Sequence, residues 1–368
     1  MKCPSNTPPR PAHNWKSYWK QLSACILLPL LSAQTSLAFE GIAATTQTTR
    51  PSSEVSEQLE LQEVVDAAYA KYKDLEEGAN ADYIPILATV PSDLFGVVIA
   101  TKDGQVFSAG DIDYKFSIQS VSKPFTAALV MQQMGPQALL DKIGVEPTGL
   151  PFNSKMALEL YEQRSANPLV NAGAIAAVSL IQADSESDRW AQIKENLEDF
   201  AGTQLSLLDE VYQSEYETAW SNRGIANLLY NYNRLYSDPE EALRVYTQQC
   251  SVGVSTQDLA IMGATLANAG THPLTGKLVL DRKHVPELLA LMATAGFYDE
   301  SGAWMYSAGL PAKTGVGGGI VAIVPGKLAI AAFSPRVNQA GNSIKAMKAI
   351  RFIAGELGVG LYGANPED

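Results

Sequence analysis

The chain has 368 residues, 46% of them hydrophobic, enough apolar surface for one large core or two modest ones. A formal net charge of −12 argues against a nucleic-acid binder, since phosphate affinity needs clustered Lys and Arg. Three cysteines and three scattered histidines, His13, His272 and His284, offer no metal-ligand spacing, so no metal or cofactor is expected.

Residues 1–38 read as a secretory signal peptide. Lys2, Arg10, Lys16 and Lys20 come first, an apolar run follows at 24–33, and Ser36-Leu37-Ala38 forms a small-x-small site. The run is too short, and too interrupted by Pro29, to span a membrane, so no stable membrane insertion is expected. Leu22-Ser23-Ala24-Cys25 has the look of a lipoprotein box, but its cysteine precedes the apolar run. A misassigned start codon is the competing explanation. The location is therefore periplasmic or exported with a cleaved leader, and cytoplasmic without one. Cleavage would take the net charge from −12 to −16 and leave Cys250 as the one cysteine, with no internal disulfide.

Residues 39–55 are rich in Ser and Thr and lack periodicity, which predicts a linker. Helical spacing of Leu61, Val64, Val65, Ala68 and Tyr69 predicts a helix over 56–75. Two apolar runs at 94–100 and 105–109, joined through Asp103-Gly104, predict a β-hairpin. A long helix is expected over 116–134. Helical patterns then dominate to about 305, at 172–180, 190–201, 224–235, 239–249 and 255–268. Strands return at 319–324 and 327–333 around Pro325-Gly326, before a final helix over 341–357.

Strands at both ends with helices between them predict an α/β (α+β) fold. An antiparallel β-sheet flanked by helices is built from 56–135 and 306–368, and a helical subdomain at about 136–305 is inserted into it. Together, 56–368 is expected to form one catalytic unit.

The sharpest chemical signal is Ser120-Val121-Ser122-Lys123. Residues i and i+3 share a helix face, so the lysine amine can reach the serine hydroxyl and act as its base once burial depresses its pKa. S-x-x-K alone occurs by chance. Its support is Lys313-Thr314-Gly315, followed by a Gly-rich stretch and a strand, a pairing that resembles the penicillin-recognising serine enzymes, with their β-lactamase/DD-peptidase-like fold. The usual third motif has only weak matches, at 165–167 and 230–232.

More specific is the set FSIQSVSK (116–123), NPLVNAGAI (167–175), YTQQCSVGVSTQDLA (246–260), GFYDESG (296–302) and LPAKTGVGGGI (310–320). Together these resemble the bacterial-type serine-dependent glutaminases, over about 56–358. The resemblance implies that Ser120 attacks the side-chain amide of L-glutamine, that Lys123 activates it and that Tyr246 shuttles a proton. It also implies an oxyanion hole from the amides of Ser120 and Val316, substrate contacts from Asn171, Glu215, Asn222 and Tyr298, and a homodimer or homotetramer. The chemistry agrees, because an amino acid's ammonium suits a carboxylate such as Glu215, and its carboxylate suits amide and hydroxyl donors. Cys250 is read as a small buried residue. Thr314 stands where serine is common in that family. A β-lactamase or penicillin-binding peptidase is the enzymatic alternative, and a non-catalytic amino-acid binder the other.

Overall fold

The computed structural model describes residues 53–160 and 165–363; the signal segment, the linker up to residue 52 and the alternative leader readings lie outside them. Five antiparallel strands form the central sheet, in the spatial order Val106–Gly110, Gly96–Thr101, Leu328–Phe333, Gly319–Val324 and Ala312–Thr314. The chain ends thus share one sheet, and both predicted hairpins are present.

The register explains why these strands read as unbroken apolar runs. Val98 pairs with Ala331 and Ala331 with Val321, and all three point into one core. The neighbouring row, Ile99, Ile330 and Ala322, points into another. A sheet covered on both faces has no polar side to alternate with. One face is covered by the helices Ser53–Tyr72, through Val65 and Ala68, and Ile344–Glu356, through Ile350 and Ile353. The other is covered by Thr256–Ala267, started by a capping box between Ser255 and Asp258. Gly263 on that helix lies so close to the sheet that a Cβ would meet Val321 Cγ2 at 2.6 Å and the Ala329 Cβ at 2.7 Å.

The apolar core continues from that helix into Lys123–Met134, Asn171–Leu180, Glu186–Ala201 and Pro239–Cys250. The expected helix over 116–134 is corrected. Phe116–Ser117 is a strand, Gln119–Ser122 a 3-10 turn, and the α-helix starts only at Lys123. The strand pairs with Val252–Val254, which also pairs with Ser206–Leu207, so a three-stranded ribbon runs through the helical block. Among the described residues no helix is long and apolar enough to cross a membrane.

The close approach at Gly263 gives a test. Gly263→Leu is expected to destabilise the fold by about 1–3 kcal/mol through overpacking, read as a lower Tm in calorimetry. An unchanged Tm would show that the helix can lift off the sheet at no cost.

Candidate active site

The site is built where the 3-10 turn meets the first turn of the helix Lys123–Met134. Ile118 is tied to the ribbon by its N–H, which donates to Val252 O at 2.8 Å. In a 3-10 turn side chains at i and i+3 nearly eclipse. Lys123 Nζ accordingly donates to Ser120 Oγ at 2.8 Å, and also to Asn171 Oδ1 at 2.7 Å. Both members of the pair are buried, Lys123 to 1% exposure. Burial lowers the amine's pKa to about 8, with Glu215 acting in the opposite direction.

Asn171 opens the helix Asn171–Leu180 and donates through Nδ2 to Asn222 Oδ1 at 2.9 Å. Asn222 is inside the helix Trp220–Asn231, whose N-cap is Ala219. Glu215, on the helix Asp209–Thr218, is buried and accepts from Gln119 Nε2 at 2.9 Å. Burial raises its pKa to about 7, opposed by the Gln119 bond and by the charge of Lys123. Asn171, Glu215 and Asn222 line one small cavity with Tyr83 and Phe152.

Tyr298 enters from the strand side at a positive φ of 57°. Its hydroxyl donates to Thr314 O at 3.3 Å, and its ring stands 4.8 Å from that of Phe152. The Ser120 hydroxyl lies beside the Tyr298 phenol, whose pKa burial raises and the bond with Ser120 lowers. Lys313 is fully buried, 4.2 Å from the Tyr298 ring centroid, and donates to Gly296 O at 3.0 Å and Thr314 O at 2.7 Å. Burial, then the nearby Lys123, holds its pKa well below the usual lysine range. Val316 is buried between Gly315 and Gly317, which pack against residues 117–121.

Tyr246 is buried on the helix Pro239–Cys250 with its ring centroid 5.8 Å from Lys123 Nζ. Its phenol is hydrogen-bonded with Cys250, and burial pushes the acidity of both groups down. A thiol held protonated in this way is a poor nucleophile.

The folded chain therefore gathers Ser120, Lys123, Asn171, Glu215, Asn222, Tyr246 and Tyr298 around one centre. Sequence reasoning missed Gln119, Tyr83 and Phe152. Gln119 was inside a quoted motif, next to the nucleophile candidate. Tyr83 and Phe152 sit in loops with no periodicity or spacing to single them out.

Residues 78–362 match the family model described as Glutaminase. A glutaminase of Mycobacterium ulcerans is 54% identical over 301 residues, covering 82% of this chain and 94% of that protein. One from Escherichia coli O81 is 51% identical over 302 residues, covering 82% and 97%. Among solved structures, a probable glutaminase, YbaS, aligns with a TM-score of 0.82 at 51% identity, covering 83% of this chain and 99% of that one. Mglu in its glutamate form aligns with a TM-score of 0.78 at 34% identity, covering 83% and 70%.

Glu215 has a consequence for stability. A carboxyl whose pKa rises on folding, here from 4.5 to about 7, stabilises the fold at low pH, and that contribution is lost as pH rises through 7. The difference amounts to about 3 kcal/mol at most. Glu215→Gln is expected to raise Tm over the parent at pH 8, and the gain should vanish near pH 4.5. A gain of equal size at both pH values would contradict the assignment.

Proposed function

The chain belongs to the glutaminase family of amidohydrolases, with a β-lactamase-like fold, and on that premise we propose that it hydrolyses L-glutamine to L-glutamate and ammonia through an acyl-enzyme on Ser120. The observation that carries the mechanism is the buried Lys123–Ser120 hydrogen bond of 2.8 Å, made by an amine whose pKa is lowered to about 8. A lysine so tuned has a usable neutral fraction near physiological pH.

In the proposed sequence the Ser120 Oγ–carbon bond forms as the hydroxyl proton passes to neutral Lys123. The amides of Ser120 and Val316 receive the oxyanion. Collapse expels the amide nitrogen, which takes up a proton and leaves as ammonia. Water then attacks the glutamyl ester by the reverse proton route. Of the two phenols, Tyr298 is beside Ser120 and is better suited to protonate the leaving group. Tyr246, bonded to Cys250 and facing Lys123, is better suited to orient the lysine than to serve as the shuttle first expected of it.

Glu215 would hold the substrate ammonium. Asn171 and Asn222, joined by their own hydrogen bond, would present amide donors to its carboxylate, with Tyr298 at the reacting end. The glutamate form of Mglu supports a ligand of this class. Glutamine is net neutral, so a charge of −12 does not repel it. A homodimer or homotetramer, and export by the leader, belong to the same proposal and rest on the resemblance and on residues 1–38. The β-lactamase alternative is not favoured, because the family model and the relatives named above are glutaminases and YbaS is a probable one.

Ser120→Ala and Lys123→Ala are each expected to reduce ammonia release from glutamine by several orders of magnitude. Residual activity above about a tenth in either would refute the assigned roles, and nitrocefin turnover without ammonia release would establish the alternative.

The pH profile follows from the two shifted groups. Glu215 must lose its proton to hold an ammonium, and Lys123 must lose one to act as base. kcat/KM should therefore rise with pH between about 7 and 8. Tyr298→Phe should lower kcat by about a hundredfold or more, and Tyr246→Phe by less. The reverse order would return the shuttle to Tyr246.

A further inference from the structure

Five non-glycine residues among those described have positive φ, and Gln119, at 48°, immediately precedes Ser120. A backbone of this kind persists only where its surroundings hold it. Three contacts do so here. Gln119 Nε2 donates to Glu215 Oε2 at 2.9 Å. Ser122 Oγ donates back to Gln119 O at 2.7 Å, closing the turn. Gly317 packs so tightly that a Cβ there would stand 2.5 Å from Ser117 O and 3.3 Å from Gln119 Cγ. The side chain is 3% exposed, so solvent does not compete for its amide.

We propose that Gln119 is a positioning residue that couples the carboxylate of Glu215 to the strained turn presenting Ser120, so that substrate recognition and nucleophile placement are set by one side chain. This rests on the reading that Glu215 holds the substrate ammonium. The choice of an amide follows from chemistry. A lysine or arginine at 119 would also bond the carboxylate, but it would cancel the charge the ammonium needs. A glutamine donates a hydrogen bond and leaves the negative charge in place.

The groups facing Glu215 show what the amide has to oppose. Burial raises its pKa, the phenols of Tyr83 and Tyr246 and the thiol of Cys250 lie around it, and Lys123 supplies positive charge. Of the contacts that favour the ionised form, the Gln119 bond is the largest. Without it, Glu215 should stay protonated to higher pH and bind glutamine only there.

The test measures binding of L-glutamine to the Ser120→Ala protein by calorimetry between about pH 6 and 9, with and without Gln119→Asn. Asparagine tolerates positive φ but ends one methylene short of Glu215. The pH at which binding strengthens is expected to rise by about one unit, and with Ser120 present kcat should fall about tenfold. Gln119→Gly, which adopts the turn freely, should show the same upward shift. If neither variant moves the pH dependence, or if both weaken binding equally at every pH, Gln119 is scaffold only and the inference fails. Should Ser120→Ala/Glu215→Gln bind glutamine as tightly as Ser120→Ala, the ammonium reading itself falls, a separate outcome from a silent Gln119.

Discussion

The hydrogen bond between Lys123 and Ser120 imposes the main physical demand on this molecule, because it requires an amine to be buried almost completely. Desolvation is what lowers the amine's pKa to about 8, and it costs free energy that the rest of the structure must offset. Asn171 meets part of that demand by supplying a carbonyl oxygen at 2.7 Å, a neutral acceptor that orients the amine without restoring its ordinary basicity. A carboxylate in the same place would have stabilised the ammonium and raised the pKa of Lys123 again. Glu215 is instead held off the lysine, bonded to the Gln119 amide.

The fold serves that demand by rigidity. A sheet buried on both faces cannot shift one strand without repacking two cores, and this sheet carries Lys313 and Thr314 in its edge strand, with Val316 in the turn that follows. Against it lies the 3-10 turn, fixed from behind by the ribbon strand Val252–Val254. Ser120 therefore sits on the seam between the sheet layer and the helical block. Each layer contributes one buried lysine and one buried tyrosine.

The regular elements were legible because their signals are periodic or bounded. The two hairpins, the helices on either side of residue 250 and the strand that carries Lys313-Thr314 all fall where pattern and turn chemistry predict. The start of the helix that follows Ser120 was not legible. Ile118, Val121 and Phe125 keep a helical spacing straight through the 3-10 turn, so apolar periodicity cannot register the change of hydrogen bonding at Lys123. The ribbon strands have two or three residues each, too few to show alternation. Positive φ at Gln119 and Tyr298 also leaves no trace, since neither is a residue type that announces it. The placement of the phenols of Tyr246 and Tyr298 was hidden for the same reason, since it depends on which one the folded backbone turns toward Ser120.

These points bear on why the site should select a free amino acid. Lys123 and Lys313 are both buried, and the charge of Lys123 disfavours charge on Lys313. Lys123 is bonded to Ser120 and Asn171, and Lys313 to backbone oxygens, so neither amine is hydrogen-bonded to Glu215. Gln119, Asn171 and Asn222 satisfy hydrogen bonds around the carboxylate and the lysine while adding no charge. Among the described residues Glu215 has a neutral amide, not a cation, as its hydrogen-bond partner, and the ammonium of glutamine would provide the cation. A ligand without it would leave Glu215 either unpaired or protonated, a cost that grows as pH rises above about 7 and that disfavours such a ligand against one carrying an ammonium. Selection for the ammonium would then follow from the desolvation that also lowers the pKa of Lys123.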